Sequence, residues 1–336
     1  MRPPSPIQAR NLRRQLLAWY DIHRRDLPWR AKKGQKPDPY HVWISEVMLQ
    51  QTTVATVKAY FQRFLARWPK IQDLAAASLD DVLHAWQGLG YYSRGRNLHK
   101  AAQIMRKKIP QTYEELKELP GLGPYTAGAI AAIAFDQPVA AMDANVERVL
   151  ARMFGVKETL PKAKKTLREI AAALTPKNRP GDFLQAEMDL GATICKPRDP
   201  LCPKCPWKNS CIARKLGIQN ELPKKALKKT KPTRHAWALW LENPKGEILI
   251  RRRADKGMLG GMMEVPTTEW GARSPQPAGK LLPGEVRHSF THFDFVVKIV
   301  KIKNKKLAGQ WVHPRDFHRH ALPTVMKKIL KHGLKN

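Results

Sequence analysis

Apolar residues recur three and four apart through the first two thirds of the chain and alternate in parts of the last third. Leu12, Leu16 and Leu17 keep helical spacing, as do Val57, Tyr60, Phe61, Phe64 and Leu65. The run AGAIAAIAF (127–135) is small and apolar on every side, the pattern of a closely packed, buried helix. Pro110, the Pro120–Gly123 cluster, Gly155 and Pro161 punctuate these segments. Residues 7 to about 220 therefore read as a succession of helices. PKKALKKTKPTR (223–234) is basic, proline-bearing and nearly free of large apolar residues, which is linker composition. Beyond it, EILIRR (247–252) and HFDFVVKIVKIK (292–303) are β-branched and partly alternating, so they predict strands. NPKG (243–246) predicts a turn, and Pro323–Leu330 a last amphipathic helix. The expected fold class is two domains, an all-α region over 1–222 and an α+β domain over 235–336, joined by the 223–234 linker.

Charge adds a partner. The 336 residues hold 61 Lys and Arg against 28 Asp and Glu, a formal net charge of +33. Residues 1–235 carry 42 basic and 20 acidic side chains, and 236–336 carry 19 and 8, so no single tail accounts for the excess. A field of that sign favours a polyanion, with nucleic acid the default. No apolar run approaches the ~20 residues of a membrane span, and MRPPSPIQAR lacks the apolar stretch of a secretory signal. The expectation is a cytoplasmic, nucleoid-associated monomer with no membrane partner.

All four cysteines fall in one window, Cys195, Cys202, Cys205 and Cys211, spaced C-x6-C-x2-C-x5-C. Structural zinc sites usually show two close pairs or a Cys/His mixture, and here there is one close pair. Four thiolates also suit an iron–sulfur cluster. The cluster leads, zinc is the alternative, and unligated thiols come third. Disulfides are disfavoured in a chain with no export signal.

LPGLGPYTAGAI (119–130) is a Gly-x-Gly turn, Gly121 and Gly123, leading into a helix whose exposed amides suit a phosphate. With the cysteine window some 70 residues on, residues 10–215 resemble the helix-hairpin-helix DNA glycosylases that carry a [4Fe–4S] cluster. The resemblance places the hairpin at about 112–135 and the cluster loop at 195–211. It implies that the four cysteines are cluster ligands. EVMLQQT (46–52) is similar to the catalytic helix of the adenine DNA glycosylases, the MutY family. Read alone, Glu46 is the solvated side of a helix and Asp143, in AMDANVERVLAR (141–152), an N-cap. A carboxyl in partly apolar surroundings also has a raised pKa and suits a general acid.

The resemblance makes Glu46 the acid that protonates adenine N7. It makes Asp143 the carboxylate that faces the oxocarbenium ion, with Tyr125 and Asn145 orienting acid and sugar. Tyr125 stands where the endonuclease III type has a lysine, so imine chemistry and strand cleavage at this position are excluded. The family's adenine pocket maps onto Trp29, Arg30, Leu49 and Glu187. Its wedge residues map onto Gln51 and Tyr91, with Tyr92 beside it as the other aromatic able to reach DNA. RHSFTHFDF (287–295) resembles the loop that reads 8-oxoguanine, here Phe290, Thr291 and His292, with threonine replacing the family serine. GGMMEVPTTEW (260–270) echoes the start of the Nudix motif without its acidic metal-binding run, so the C-terminal domain is expected to be Nudix-like and to read the lesion. The implied function is monofunctional excision of adenine opposite 8-oxoguanine or guanine in double-stranded DNA. The rivals are a thymine or uracil mismatch glycosylase and a non-catalytic iron–sulfur DNA-binding protein.

Overall fold

A computed structural model describes residues 3–226, 230–255, 257–271, 275–303 and 307–336. It divides into two compact units, Met1–Ala75 with Lys100–Leu227, and Ala76–His99 with Lys228–Asn336. One boundary lies inside the linker expected at 223–234. The linker's first residues are ordered by an isolated parallel bridge from Leu160 to Lys225, and its last two, Thr233 and Arg234, already belong to a strand. Residues 227–229 lie outside the described residues. Composition gave no sign that Ala76–His99 groups with the C-terminal residues.

Helices come first along the chain: α1 (Pro6–His23), α2 (Pro39–Leu49), α3 (Val54–Arg67), α4 (Ile71–Ala76), α5 (Leu79–Ala85), α6 (Ser93–Met105), α7 (Tyr113–Lys117), α8 (Pro124–Phe135), α9 (Ala144–Met153), α10 (Lys164–Leu174), α11 (Pro180–Thr193) and α12 (Ile212–Lys215). Most of the longer ones begin with a polar cap. Ser5 forms a capping box with Gln8, Asp38 accepts from the amides of Tyr40 and His41, and Asp143 accepts from those of Asn145 and Val146.

The first unit is built around α8. Residues 126–133 are all buried, as an apolar helix without a polar face must be. The helix packs against α2, α7 and α11, and α11 packs in turn on α1 and α9. A side chain at Gly191 of α11 would place its Cβ 2.6 Å from that of Asn145, so glycine sets how closely α11 meets α9.

In the second unit, β1 (Thr233–Trp240) pairs in parallel with β6 (Asp294–Lys301), and β4 (Lys280–Leu281) and β5 (Val286–Ser289) pair antiparallel to β6. A smaller sheet has the order β3-β2-β7, made by β3 (Met263–Glu264), β2 (Ile248–Arg252) and β7 (Gln310–Val312). α13 (Thr324–Gly333) buries Val325, Met326, Ile329 and Leu330 against the strands, with Trp240, Phe295 and Val297 in the same core. The two strands, the turn and the final helix expected from the pattern are present. No helix among the described residues is long and apolar enough to cross a membrane.

Candidate active site

α2 carries Glu46 on its inner side. The helix is apolar on nearly every face, and Glu46 is 7% exposed rather than solvated. Packing of α2 on α8 brings it to Tyr125, in the first turn of α8, whose hydroxyl donates to Oε2 of Glu46 at 3.0 Å. Burial pushes the Glu46 carboxyl up to about 7. The tyrosine hydrogen bond and the Arg30 charge oppose that rise, and the negative charge of Asp143 adds to it.

Asp143 is half-buried and has both oxygens engaged. Oδ1 accepts from the amides of Asn145 and Val146 at 2.9 and 2.8 Å, and Oδ2 from Nδ2 of Asn145 at 2.8 Å. The N-cap and the proposed cation-facing group are thus one side chain. Arg148, one turn on, donates to Oδ1 of Asn145 (2.9 Å), to the Gly191 carbonyl (2.8 Å) and to the Cys195 carbonyl (2.8 Å). Arg152, 2% exposed, donates to the carbonyls of Lys196, Pro197 and Leu222 and to Sγ of Cys195 at 3.4 Å. One face of α9 therefore runs from Asp143 to the cysteine loop.

The four cysteines line a single pocket with Arg152 and Arg214. Among the described residues no group of three His, Cys, Asp or Glu side chains is disposed to hold one metal ion. Four thiols sharing one pocket are a donor set for an iron–sulfur cluster, and the Arg152 donor suits an anionic group.

Trp29, Arg30, Glu46 and Leu49 line one cavity, together with Val42, Ser45 and Met188. Glu187 does not line it. That side chain is 4% exposed, its Oε1 has no hydrogen-bond partner among the described residues, and burial, then the charge of Asp143, holds its carboxyl well above the ordinary range. Arg30 reaches Asp189 instead, by two bonds of 2.6 and 2.8 Å. Arg25 adds a third at 2.5 Å. Asp189 is fully buried. Burial pushes it up, but the bond and charge of Arg30 outweigh that and leave it below the usual carboxylate range. Neither Asp189 nor Arg25 stood out in the sequence. The available signal was an acid two residues after Glu187, among the apolar Met188, Leu190 and Gly191 of the same helix.

The hairpin turn has Gly121 at φ +81°, a left-handed conformation that favours glycine. Gly123 is the N-cap of α8 and supplies no side-chain cap, so the first amides of α8 are left for another acceptor. Gln51 and Tyr91, the expected wedge residues, both adopt left-handed backbone, at φ 59° and 45°. Tyr91 is 44% exposed and Tyr92 only 6%, so Tyr91 is the one available to a ligand.

In the second unit, Phe290, Thr291 and His292 sit in the tight connection between β5 and β6, closed by a Phe290 amide to Phe293 carbonyl bond of 2.9 Å. Phe290 is anchored on Phe293 and Trp270, at centroid distances of 4.8 and 5.8 Å, while Thr291 and His292 are exposed. Within the same unit the hydroxyls of Thr291 and Tyr91 are hydrogen-bonded to each other.

Residues 44–176 match the family of HhH-GPD superfamily base excision DNA repair proteins, and 237–332 match the NUDIX domain. Adenine DNA glycosylase of Homo sapiens is 35% identical, over 95% of this chain and 73% of that one. That of Buchnera aphidicola subsp. Schizaphis graminum is 33% identical over 94% and 96%. The chain belongs to the adenine DNA glycosylase family. Among solved structures, a thermostable thymine-DNA glycosylase superposes with a TM-score of 0.56 at 30% identity, over 62% of this chain and 97% of that one. An endonuclease III–DNA complex, at 24% identity and a TM-score of 0.51, shares the fold. As in the rest of the family, the helical region is a helix-hairpin-helix glycosylase fold and the C-terminal domain is Nudix-like.

Proposed function

We propose that the chain hydrolyses the N-glycosidic bond of adenine in duplex DNA where the opposite base is 8-oxoguanine or guanine, leaving an abasic site in an uncut strand. The buried Glu46, its carboxyl raised to about 7, hydrogen-bonded by Tyr125 and lining the Trp29–Arg30 cavity, carries the reading. A base inside a duplex is out of reach, so adenine rotates into that cavity. Glu46 gives its proton to N7 and the base leaves neutral. Asp143 faces the sugar as it gains oxocarbenium character, and water completes the hydrolysis. Asn145 fixes Asp143, and Tyr125 fixes Glu46. Tyr125 has no amine to attack the sugar, so the strand is not cut through an imine.

Gln51 and Tyr91 take the space that the rotated base leaves, and the amides at the start of α8 hold a backbone phosphate. Phe290, Thr291 and His292 read 8-oxoguanine. Cys195, Cys202, Cys205 and Cys211 would hold a [4Fe–4S] cluster, which would cross-link the 195–211 loop when bound. Arg148 and Arg152 fasten that loop to α9.

The test is incubation with labelled duplexes bearing A:8-oxoguanine, A:G and T:G, each with and without alkali. Adenine release that gives strand breaks only after alkali is expected. Excision from T:G with both adenine duplexes untouched would replace this reading with a thymine mismatch glycosylase, the activity named for the structural neighbour.

A further inference from the structure

The second unit carries a basic concavity that none of the roles above uses. Arg251, Arg252 and Arg253 follow one another at the end of β2, and Arg234 stands near the start of β1. All four line one open pocket together with Glu264, Glu269 and Trp270. Its four arginines outnumber its two lining carboxylates, the buried Glu264 and the exposed Glu269. Glu264, 2% exposed, receives Arg251 at 2.8 Å, a pair set by the β2–β3 register, and also Arg253. One buried carboxylate thus holds two guanidinium groups. Arg252 pairs with Asp80 of the same unit. Arg234 lies over the Phe293 ring at 4.5 Å and forms no ion pair among the described residues.

Trp270 is not a free stacking platform. Arg253 sits 4.7 Å from its ring centroid and Phe295 4.1 Å from it. The pocket therefore offers positive charge rather than a surface for a base. Forked guanidinium donors seat phosphate oxygens, often two at a time. Trp270 also packs on Phe290, so the pocket adjoins the Phe290–His292 loop.

We propose that this pocket is a phosphate-binding site and that its occupant is the backbone of the DNA strand presented to the Phe290–His292 loop. The choice of strand rests on the reading of that loop given above. A free nucleoside triphosphate carries the same chemistry, and the experiment separates the two sources.

Full-length protein is titrated onto a labelled A:8-oxoguanine duplex at salt from about 50 to 200 mM, for wild type, Arg234→Gln, Arg251→Gln and Arg234→Lys. Neutralising one phosphate fewer lowers the slope of log K against log salt by about 0.9. The two glutamine variants are each expected to show a slope smaller by about that much, and Arg234→Lys to keep the slope, which a folding defect would not do. In parallel, dGTP is titrated calorimetrically into DNA-free protein. A reduced slope with no dGTP heat supports the DNA backbone as occupant. dGTP heat that Arg234→Gln abolishes, with slopes unchanged, overturns that assignment in favour of free nucleotide. Unchanged slopes and no heat overturn the site. Single-turnover adenine excision by wild type in the same buffers keeps the readings apart: failure there sinks the glycosylase reading and leaves the slope test standing.

Discussion

The hydroxyl of Tyr125 and the carboxylate of Glu46 share a hydrogen bond that works against the effect of burial on Glu46. Burial raises the carboxyl above the ordinary carboxylate range. The hydrogen bond favours the anion and opposes that rise, and the group lies at about 7. An acid poised there is present in its donating form at working pH and still gives up its proton. Excision should accordingly decline as pH rises through about 7, when the donor form of Glu46 is lost. Tyr125→Phe removes the bond that favours the anion, so the alkaline limb should move to higher pH. Single-turnover rates across the pH range check both, and an unmoved limb would detach Tyr125 from the acid.

Glu46→Gln keeps the shape and removes the transferable proton. A loss of ~100-fold or more in excision is expected, with duplex binding retained. The same change should stabilise the fold at alkaline pH. The carboxyl titrates near 4.5 when exposed and about 7 in the folded chain. Its contribution to stability is fully present below the lower value and lost as pH rises through the upper one. Wild type should thus trail the variant by roughly 3 kcal/mol at alkaline pH and by little at pH 4. Urea melts at the two pH values measure the gap.

Asp143→Asn and Asp143→Ala separate the two tasks of one side chain. Asparagine caps a helix about as well as aspartate, so the first variant should melt like wild type while excision falls ~100-fold for want of the charge. Alanine should lose the activity and about 1 kcal/mol of stability as well. An asparagine variant with near-normal turnover would show that the sugar is stabilised elsewhere.

Purified protein should be yellow-brown and contain about four irons per chain. Stoichiometric zinc without iron would contradict the cluster. Arg148→Ala removes the donor shared by Asn145, Gly191 and the Cys195 carbonyl. Slower excision, by ~10-fold or more, is expected because Asn145 no longer fixes Asp143 in place. Iron content and excision rate, measured on one preparation, show whether the loss arises at the loop or at the carboxylate.

Asp189→Asn leaves Arg25 and Arg30 without their shared buried anion. Removing one partner of a buried ion pair typically costs about 3–5 kcal/mol, so a fall in unfolding free energy of that size is expected in urea melts. Loss of adenine affinity should accompany it, because Arg30 lines the cavity.

Local pattern carried the architecture well. The all-apolar run at 127–135 and the alternation at 292–303 each report one element's surroundings, and both formed as read. It carried the site unevenly. The helix of Glu46 is apolar around most of its circumference, so its periodicity could not say which face meets α8. Only the longer match to EVMLQQT pointed inward. The partners of Asp189 lie about 160 residues away in sequence, beyond any local window. The grouping of Ala76–His99 with the C-terminal residues is likewise made by distant pairs, Arg252 with Asp80 and Gln87 with the His320 carbonyl. Composition could locate a linker but not these.

Gly191 makes a practical point about variation in such a chain. It lies inside α11, in no turn and with ordinary helical backbone, so nothing in the sequence marks it as indispensable. Yet a methyl group there would collide with Asn145 and push the first turn of α9, and Asp143 with it, off α11. By propensity, alanine at 191 is a favourable helix residue. A gene carrying it would encode every group that touches DNA and still give a weak enzyme. A catalogue of catalytic residues would pass that allele as harmless; a catalogue of backbone spacings would not.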